Sequence, residues 1–460
     1  MPDHHASAWK RPADAAPMVP KRRNGVSYAA TVAEAPTGIR ERVTKKLYIR
    51  IVLYCFILFI INYLDRVNVG FAALQMNEEL GLTPKIFGFG AGIFFLGYMA
   101  FEVPSNLILH KVGPRIWIAR IMVTWGIISC AMAFTAGPTS FYILRFLLGV
   151  AEAGFAPGIL LYLTYWFPAK ERGRAVAGFM TATVLSSVIG APLSGWLISG
   201  THDWLGFSGW QWMFLLEGLP AIILGVVTFF YLIDRPEDDR RWLSTEERGW
   251  LIAELRKEQA TVSSHGMEDF HAIFKDARVW LLTLVYMCNG IAIYGVVLWL
   301  PQIVKSIGGL SNVQTGLVSA IPFVFAAIGL IVIARSSDRT GERKLHTAFS
   351  GLLGGLFLAA SAFAPSPIIG LVLLCCSAFV LWATLGVFWT LPTQFLTGAA
   401  AAGGLAAING FAQLGGFFGP SLVGWVREGT GSFTYALLAL AVFPVIGCFI
   451  CLSLKARRDN

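Results

Sequence analysis

The chain has 460 residues, of which 56% are hydrophobic and only 14% are charged, and its mean hydropathy is +0.64. Since soluble proteins carry about 25% charged residues, this composition excludes an ordinary soluble protein. The net charge of +9 is scattered over short loops without an aromatic and basic binding module, which argues against a nucleic-acid-binding protein.

The N-terminal residues 1–45 are basic, rich in Ala and Pro and without hydrophobic periodicity. A signal peptide would need its own apolar stretch before a cleavage site. We therefore expect a disordered cytoplasmic tail here, and a second short cytoplasmic tail at residues 456–460.

Twelve apolar stretches follow, each long enough to cross a bilayer as a helix of about 20 residues. Spans one to six are predicted at 46–74, 86–110, 115–136, 139–163, 173–199 and 211–233, and spans seven to twelve at 279–304, 312–335, 345–364, 367–391, 400–426 and 433–455. The predicted fold is an all-α membrane protein with twelve transmembrane helices in two pseudo-symmetric six-helix bundles, at residues 46–233 and 279–455.

A polar segment, residues 234–278, separates the two bundles. Within it, Ser244 is followed by Glu247 three residues later, which is the pattern of a helix-capping box. We predict an amphipathic linker helix on the cytoplasmic surface.

A loop motif occurs once in each bundle, at a constant offset of 228 residues. The copy after span two contains His110, Gly113 and Arg115, and the copy after span eight contains Asp338, Arg339, Gly341 and Arg343. Internal repeats of this kind are typical of transporters, whose binding site lies between the halves near the middle of the membrane.

The distribution of basic residues predicts the orientation. Of the 36 Lys and Arg residues, only Lys85, Lys305 and Arg427 fall on the side opposite the termini, and only Arg66 and Arg145 are assigned to the membrane interior. By the positive-inside rule, both termini and the linker are cytoplasmic. We expect a multi-pass monomer of the bacterial inner membrane, in contact with anionic lipid headgroups.

Four charged residues lie inside two of the spans: Asp65 and Arg66 in span one, and Arg145 and Glu152 in span four. A charge inside a membrane span costs at least a few kcal/mol, so such residues indicate a functional site. At 1.5 Å per residue the two pairs lie at similar depths, about 8 to 18 Å below the outer surface. Since Arg145 and Glu152 are two turns apart, they share a helix face. We predict that all four line one aqueous cavity.

These residue types suit the coupled binding of a proton and an anion. Arg66 and Arg145 offer planar forks that match a carboxylate. Asp65 and Glu152 neutralise them when ionised, and protonation of either one leaves a positive site for an organic anion. The alternative is that these are buried salt bridges that only fix helix packing, although buried pairs are costly compared with apolar residues.

The second bundle offers an uncharged surface, because residues 345–426 contain no Asp, Glu, Lys or Arg. Its candidate ligand-contacting residues are Asn289, Tyr294, Trp389, Thr393, Asn409 and Gln413. For each of them, helix packing is an equally good interpretation. Glu102 in span two belongs either to the proton path or, as we favour, to a contact with a neighbouring helix. Glu217, near the outer end of span six, is interpreted as structural. We expect no metal site, since the Cys448 and Cys451 pair has no second pair nearby.

Several motifs carry a resemblance to a known family. The two loop motifs resemble the Gly-x-x-x-Asp-Arg-x-Gly-x-Arg signature of the major facilitator superfamily, with Ala334 in place of the first Gly in the second copy and His110 in place of Asp in the first. Residues 62–68, 145–154 and 209–218 resemble the anion:cation symporter family. Residues 101–106, Phe-Glu-Val-Pro-Ser-Asn, look most like its tartrate-transporter branch, with hydroxyphenylacetate and phthalate permeases close behind.

The resemblance implies which residues bind substrate and which form the cytoplasmic gate. The substrate-lining positions would be Tyr63, Arg66, Tyr98, Arg145, Trp389 and Asn409. Thr183 falls where relatives have a larger polar side chain, which would alter substrate choice. The loop motifs would form the gate, and the His110 replacement would make it sensitive to pH.

We therefore predict proton-coupled uptake of a small organic anion, such as a tartrate-like dicarboxylate, a sugar acid or an aromatic acid, by alternating access. The alternative is an efflux or exchange carrier of the same fold. We expect no cofactor other than protons as the coupling ion. An enzyme is disfavoured, since no metal cluster, nucleophile–base pair or phosphate loop is recognisable.

Overall fold

The computed structural model describes residues 38–261, 276–306, 308–392 and 398–454. Residues 1–37 of the predicted N-terminal tail, residues 262–275 of the linker, Thr393 and residues 455–460 lie outside the described residues. The prediction of disorder up to residue 45 is wrong for its last residues, because the first helix begins at Ile39. The described part of the chain is built from helices.

All twelve predicted spans are helical, and in the described residues ten of them are long and apolar enough to cross a membrane. Spans one to six are Ile39–Glu79, Pro84–Val112, Pro114–Phe134, Pro138–Trp166, Ala169–Gly200 and Gly209–Tyr231. Spans seven, eight, ten and twelve are Ala277–Lys305, Asn312–Thr340, Pro367–Phe388 and Phe433–Ser453. The other two are span nine, Arg343–Ser361, which starts on two cations, and span eleven, which is divided into Gly398–Ala412 and Leu414–Thr430.

Local sequence explains where the spans begin and end. Pro84, Pro114 and Pro138 stand at first helical positions, where the missing proline N–H costs no hydrogen bond. Ser311 starts span eight with a capping box. Gly341 ends span eight in the left-handed conformation, with φ 74°, which glycine adopts without strain.

Span four is broken inside the bundle, at Ala153 and Gly154. At the span-four break, Ala153 is extended with ψ 132° and Gly154 is left-handed with φ 85°, so the first helical segment stops at Glu152. Interrupted helices are tolerated in membranes only where protein surrounds the backbone, and in transporters they mark binding sites.

The two bundles pack tightly against each other at one end of the molecule, which we call the far side because the linker helix lies at the other end. Glycine allows this close approach: a Cβ atom at Gly195 of span five would lie 2.6 Å from the carbonyl oxygen of Asn312 in span eight. Span two crosses span eleven in the same way, and there the Lys85 backbone N–H donates to Glu428 at 2.8 Å. The halves are therefore closed at the far side.

The end with the linker, which we call the linker side, is held by polar contacts. The linker helix Thr245–Thr261 begins with the predicted capping box, since Ser244 Oγ accepts from the Glu247 N–H and Glu247 accepts from the Ser244 N–H. Glu247 also accepts a hydrogen bond from Lys46 Nζ at 2.7 Å. This ion pair docks the linker helix on the start of span one.

Candidate substrate and proton site

Arg66 of span one and Glu152 of span four form a buried ion pair. Arg66 Nε donates to Glu152 Oε1 at 2.9 Å, and Nη2 donates to the same oxygen. Glu152 is the last residue before the span-four break. The predicted meeting of the charges of these two spans is confirmed for this pair.

Aromatic rings surround the Arg66 guanidinium. Its central carbon lies 6.0 Å from the ring centroid of Tyr63, 5.4 Å from that of Phe94 and 5.0 Å from that of Tyr98. Such contacts attract a cation through the negative ring face and limit the directions in which it can move. Two predicted substrate-lining residues, Tyr63 and Tyr98, therefore lie beside Arg66.

Arg145 is fully buried and differs from Arg66 in its partners. Its Nη2 donates to the Ala91 carbonyl oxygen at 3.1 Å, whereas Nε and Nη1 have no hydrogen-bond partner among the described residues. No carboxylate of the described residues lies within the 4.0 Å ion-pair distance of Arg145. The two arginines and Glu152 together carry one net positive charge, and the unpaired part of it is on Arg145.

Asp65 points away from this group. It accepts hydrogen bonds from Trp125 Nε1 at 2.6 Å, Ser129 Oγ at 2.7 Å and Asn68 Nδ2 at 3.2 Å. Adjacent residues of a helix point about 100° apart, so Asp65 turns into the interior of the first bundle while its neighbour Arg66 turns toward span four. The prediction that all four charges line one cavity is therefore wrong for Asp65.

Glu217 belongs to the hydrogen-bond network of Asp65. Asn68 Nδ2 also donates to Glu217 Oε2 at 3.0 Å, and Ser194 Oγ donates to Glu217 Oε1 at 2.7 Å. One amide thus connects two buried carboxyl groups. Sequence reasoning treated Glu217 as structural and missed this link, for which the signal was an Asn one helical turn after Asp65.

Glu102 joins the two halves. Its Oε1 accepts a hydrogen bond at 2.7 Å from Nδ2 of Asn409 in span eleven. The side chain is 6% exposed, and Oε2 has no hydrogen-bond partner among the described residues. The structure therefore shows the helix contact that the sequence analysis favoured for Glu102, and this contact engages a predicted substrate-binding residue.

The second half contributes aromatic rings. The Tyr294 ring lies 4.5 Å from the Phe95 ring of span two, and the Trp389 ring lies 5.0 Å from the Tyr286 ring. Tyr286 was not predicted, because a single tyrosine in an apolar span carries no pattern.

Two further candidates contribute less. Asn289 donates to the Val285 carbonyl oxygen of its own helix at 2.9 Å and lies against Gly351 and Gly447. It therefore fills a crossing of spans seven, nine and twelve inside the second half, and the ligand interpretation of Asn289 is corrected to packing. Thr183 is half-buried within span five.

The two loop motifs differ in how they hold their arginines. In the second copy, Arg343 Nη1 donates directly to Asp338 at 2.5 Å, while Arg339 is exposed. In the first copy, the carboxylate comes from elsewhere. Asp234, just after span six, accepts the Arg115 backbone N–H at 2.8 Å and lies 3.9 Å from Arg115 Nε.

His110, which replaces the motif aspartate, shares a hydrogen bond of 3.0 Å between its Nδ1 and the hydroxyl of Tyr165. Gly113 has φ 98°, and a Cβ atom there would lie 2.8 Å from the carboxylate of Asp234. The sequence analysis missed Asp234, which lies 124 residues beyond the position it complements and so outside the motif.

Comparison with known proteins agrees with this architecture. The sequence profile of the Major Facilitator Superfamily matches residues 55–420, and the chain belongs to this superfamily of membrane transporters. The family and the fold are those of transporters rather than enzymes.

Individual relatives are similar over nearly the whole chain. A protein of Agrobacterium vitis named as a candidate tartrate transporter is 49% identical over 91% of this chain and 96% of its own length. A protein of Acinetobacter baumannii named a quinolone resistance transporter is 44% identical over 88% of this chain and 93% of its own.

The fold also matches solved structures. The crystal structure of a bacterial homologue of the human lysosomal transporter Spinster, in an inward-facing and unoccupied conformation, superposes with a TM-score of 0.72 at 16% identity. The match covers 90% of this chain and 96% of that one. The predicted family and the predicted fold class are confirmed.

Proposed function

We propose that this protein carries a small organic anion across the bacterial inner membrane together with protons, by alternating access. The candidate substrates are tartrate-like dicarboxylates, sugar acids and aromatic acids. The observation that carries the proposal is the fully buried Arg145, which has two donor groups without a partner and no carboxylate within ion-pair distance among the described residues. The names of the Agrobacterium vitis relatives support the same substrate class.

The anion would bind first to Arg145. A buried guanidinium with free N–H groups is matched best by a carboxylate, which accepts two parallel charge-assisted hydrogen bonds. A substrate carboxylate would also supply the negative charge that the described surroundings of Arg145 lack. This is why an anion, rather than a neutral sugar or a cation, fits the site.

Protonation of Glu152 would strengthen anion binding. Glu152 accepts the hydrogen bonds of Arg66 through its Oε1 atom. Its other carboxylate oxygen, Oε2, is buried without a hydrogen-bond partner among the described residues, so Oε2 can accept a proton. A neutral Glu152 would release Arg66 to a second oxygen of the substrate. Proton and anion would then each raise the affinity for the other, as coupled binding requires.

Asp65 is our second proton carrier. Its described hydrogen-bond partners, Trp125, Ser129 and Asn68, are all neutral donors, and the residue is 1% exposed. Without a cation beside it, the ionised form of a buried carboxyl is costly, so proton binding and release there is coupled to access of water. Asn68 would transmit this change to Glu217.

The direction of access follows from the expected orientation. With both termini cytoplasmic, the far side faces the periplasm and the close contact of Gly195 with span eight would close that side. In this conformation the site would be accessible from the cytoplasm. In the outward-facing conformation, the loop motifs would have to contact each other and close the linker side.

An exporter of the same fold is the second candidate, and the relative named a quinolone resistance transporter is the observation that favours it. Proteoliposomes with an imposed proton gradient separate the two. Protons directed inward should drive accumulation of labelled tartrate, a sugar acid or an aromatic acid by a symporter, and expulsion by an antiporter.

The coupling residues are tested in the same assay. Glu152→Gln mimics the protonated carboxyl, so we expect loss of gradient-driven accumulation with retained binding and retained exchange of labelled for unlabelled anion. Glu79→Gln is the matched control, since Glu79 accepts from Ser208 and Trp210 at the far-side rim. Accumulation that survives in Glu152→Gln, Asp65→Asn and the double variant would refute the mechanism.

A further inference from the structure

The hydrogen bond between Glu102 and Asn409 is a contact across the interface between the halves. Span two supplies the carboxylate and span eleven the amide, with 2.7 Å between Oε1 and Nδ2. A carboxylate of the chain itself thus binds the amide that the resemblance assigns to substrate. A substrate group that reaches Asn409 has to displace Glu102 or bind beside it.

The second carboxylate oxygen of Glu102 remains available. Oε2 is buried, has no hydrogen-bond partner among the described residues, and would lie 3.9 Å from a Cβ atom at Gly410. It is therefore directed at the same stretch of span eleven as Oε1. A buried carboxylate oxygen without a donor is costly, and either a proton or a ligand hydroxyl would relieve that cost.

The charged and titratable groups around Glu102 come from three spans. Arg66 of span one attracts it electrostatically, and the hydroxyls of Tyr98 on its own span and Tyr286 of span seven interact with it. No Lys, Arg or His nitrogen of the described residues lies within 4.0 Å of it. Glu102 therefore has an amide partner and a more distant cation, but no direct counter-ion.

The charges of the site limit what can enter it. Arg66 and Arg145 are balanced by Glu152 and Glu102 when both carboxyls are ionised. One substrate carboxylate requires one of these carboxyls to take up a proton if the site is to stay neutral, and Glu152 serves this purpose in the proposed function. A second substrate carboxylate near Asn409 would face the ionised Glu102, and like charges in a buried site repel strongly.

We propose that Glu102 and Asn409 form the subsite for the far end of the substrate, where Glu102 takes up a proton whenever that end is a second carboxylate. The protonated Glu102 then donates its O–H to the substrate carboxylate, and Asn409 Nδ2 donates to it as well. A dicarboxylate is therefore bound with one more proton than a monocarboxylate. This inference rests on the proposed function, since it assumes that an organic anion occupies the site of Arg145.

The test is the pH dependence of binding to the purified full-length protein, measured by titration calorimetry with L-tartrate and with D-gluconate. These probes are hydroxy acids with two carboxylates and one. Over the pH range in which the acids and Glu102 of the ligand-free protein are all ionised, the dissociation constant for tartrate should rise with pH more steeply than that for gluconate, by up to tenfold per pH unit. That difference corresponds to one additional bound proton.

Three variants assign the additional proton. Glu102→Gln, which keeps an acceptor for Asn409, should bring the tartrate slope down to the gluconate slope. Glu102→Asp keeps a titratable group and should keep the additional slope. Glu428→Gln is the matched control, because Glu428 also joins span two to span eleven but lies at the far-side rim, and its slopes should equal those of the unmodified protein.

Equal slopes for the two acids in the unmodified protein would overturn the subsite, as would an unchanged tartrate slope in Glu102→Gln. Failure of tartrate and other four-carbon dicarboxylates to bind at any pH would overturn it too. The measurement needs no membrane gradient. If the pH slopes for tartrate and gluconate differ but a proton gradient drives no uptake, the proposal of proton-coupled transport is wrong and the subsite stands. If a proton gradient drives uptake but the two slopes are equal, the subsite is wrong and the transport proposal stands.

Discussion

Replacement of the two buried arginines by methionine should have opposite effects on the stability of the empty protein. Arg145 has one neutral hydrogen-bond partner, the Ala91 carbonyl, and no ion pair among the described residues. Arg66 is paired with Glu152. Arg145→Met removes a poorly compensated charge and leaves that pair balanced, whereas Arg66→Met leaves Glu152 without its donor.

The magnitudes follow from these partners. Burial of an ion costs several kcal/mol even after relaxation, and the hydrogen bond to Ala91 returns about 1.5 to 3 kcal/mol. The attraction of nearby Glu152 offsets part of the remainder. We expect Arg145→Met to stabilise the ligand-free protein by about 1 kcal/mol, a rise of about 1 °C in the unfolding midpoint. Arg66→Met should destabilise it by about 3 to 5 kcal/mol.

The assay is thermal unfolding of the purified protein in detergent, with and without tartrate or a sugar acid that stabilises the unmodified protein. Arg145→Met should unfold at a higher temperature than the unmodified protein and lose the ligand-induced shift. Arg145→Lys keeps the charge without the planar fork, so its affinity should fall by about 10- to 100-fold. If Arg145→Met destabilises the protein as Arg66→Met does, or keeps the ligand shift, Arg145 is a structural residue.

Three other features are testable. Gly195→Val should force span five away from the Asn312 carbonyl, which lies 2.6 Å from the position of a Cβ atom, so uptake should fall at least about tenfold at normal expression; normal uptake would show that the far-side contact is not needed. His110→Asn should flatten the pH profile of transport if His110, now bonded to Tyr165, acts as the pH-sensitive gate expected from the sequence, and an unchanged profile would end that idea. Burial opposes ionisation of Glu247, but hydrogen bonds from the span-one lysine and the Ser244 N–H prevail and lower its pKa. The contribution of ionised Glu247 to docking of the linker helix is therefore complete above about pH 4.3 and is lost as the pH falls through the lowered pKa. Proteolysis of the linker should accelerate at that low pH. The Glu247→Gln variant should be cleaved equally fast at neutral pH.

Apolar length was enough to predict the spans, because a bilayer requires every spanning segment to satisfy its own backbone hydrogen bonds. Span ten, for example, begins at Pro367 as predicted and ends at Phe388, three residues before the predicted end at Leu391. The depth of a residue along its helix was also predictable, and it correctly brought Arg66 to Glu152.

The rotation of each helix about its axis was not predictable. Asp65 and Arg66 share a depth but face different neighbours, and the sequence contains no information on which helix lies on which side. The link between Glu217 and Asn68 was missed for the same reason, since the two residues are on different spans. For Asn289 the sequence left ligand contact and helix packing equally open. The structure shows the packing contact, because Asn289 lies where spans seven, nine and twelve cross.

The charges of the site all come from the first half, whereas the second half faces it with Tyr286, Tyr294, Trp389 and the amide of Asn409. Mutations in the second half can therefore change the uncharged side of the proposed site without altering its balance of positive and negative groups. For protein engineers, the second half is accordingly the place to randomise when a new substrate is wanted.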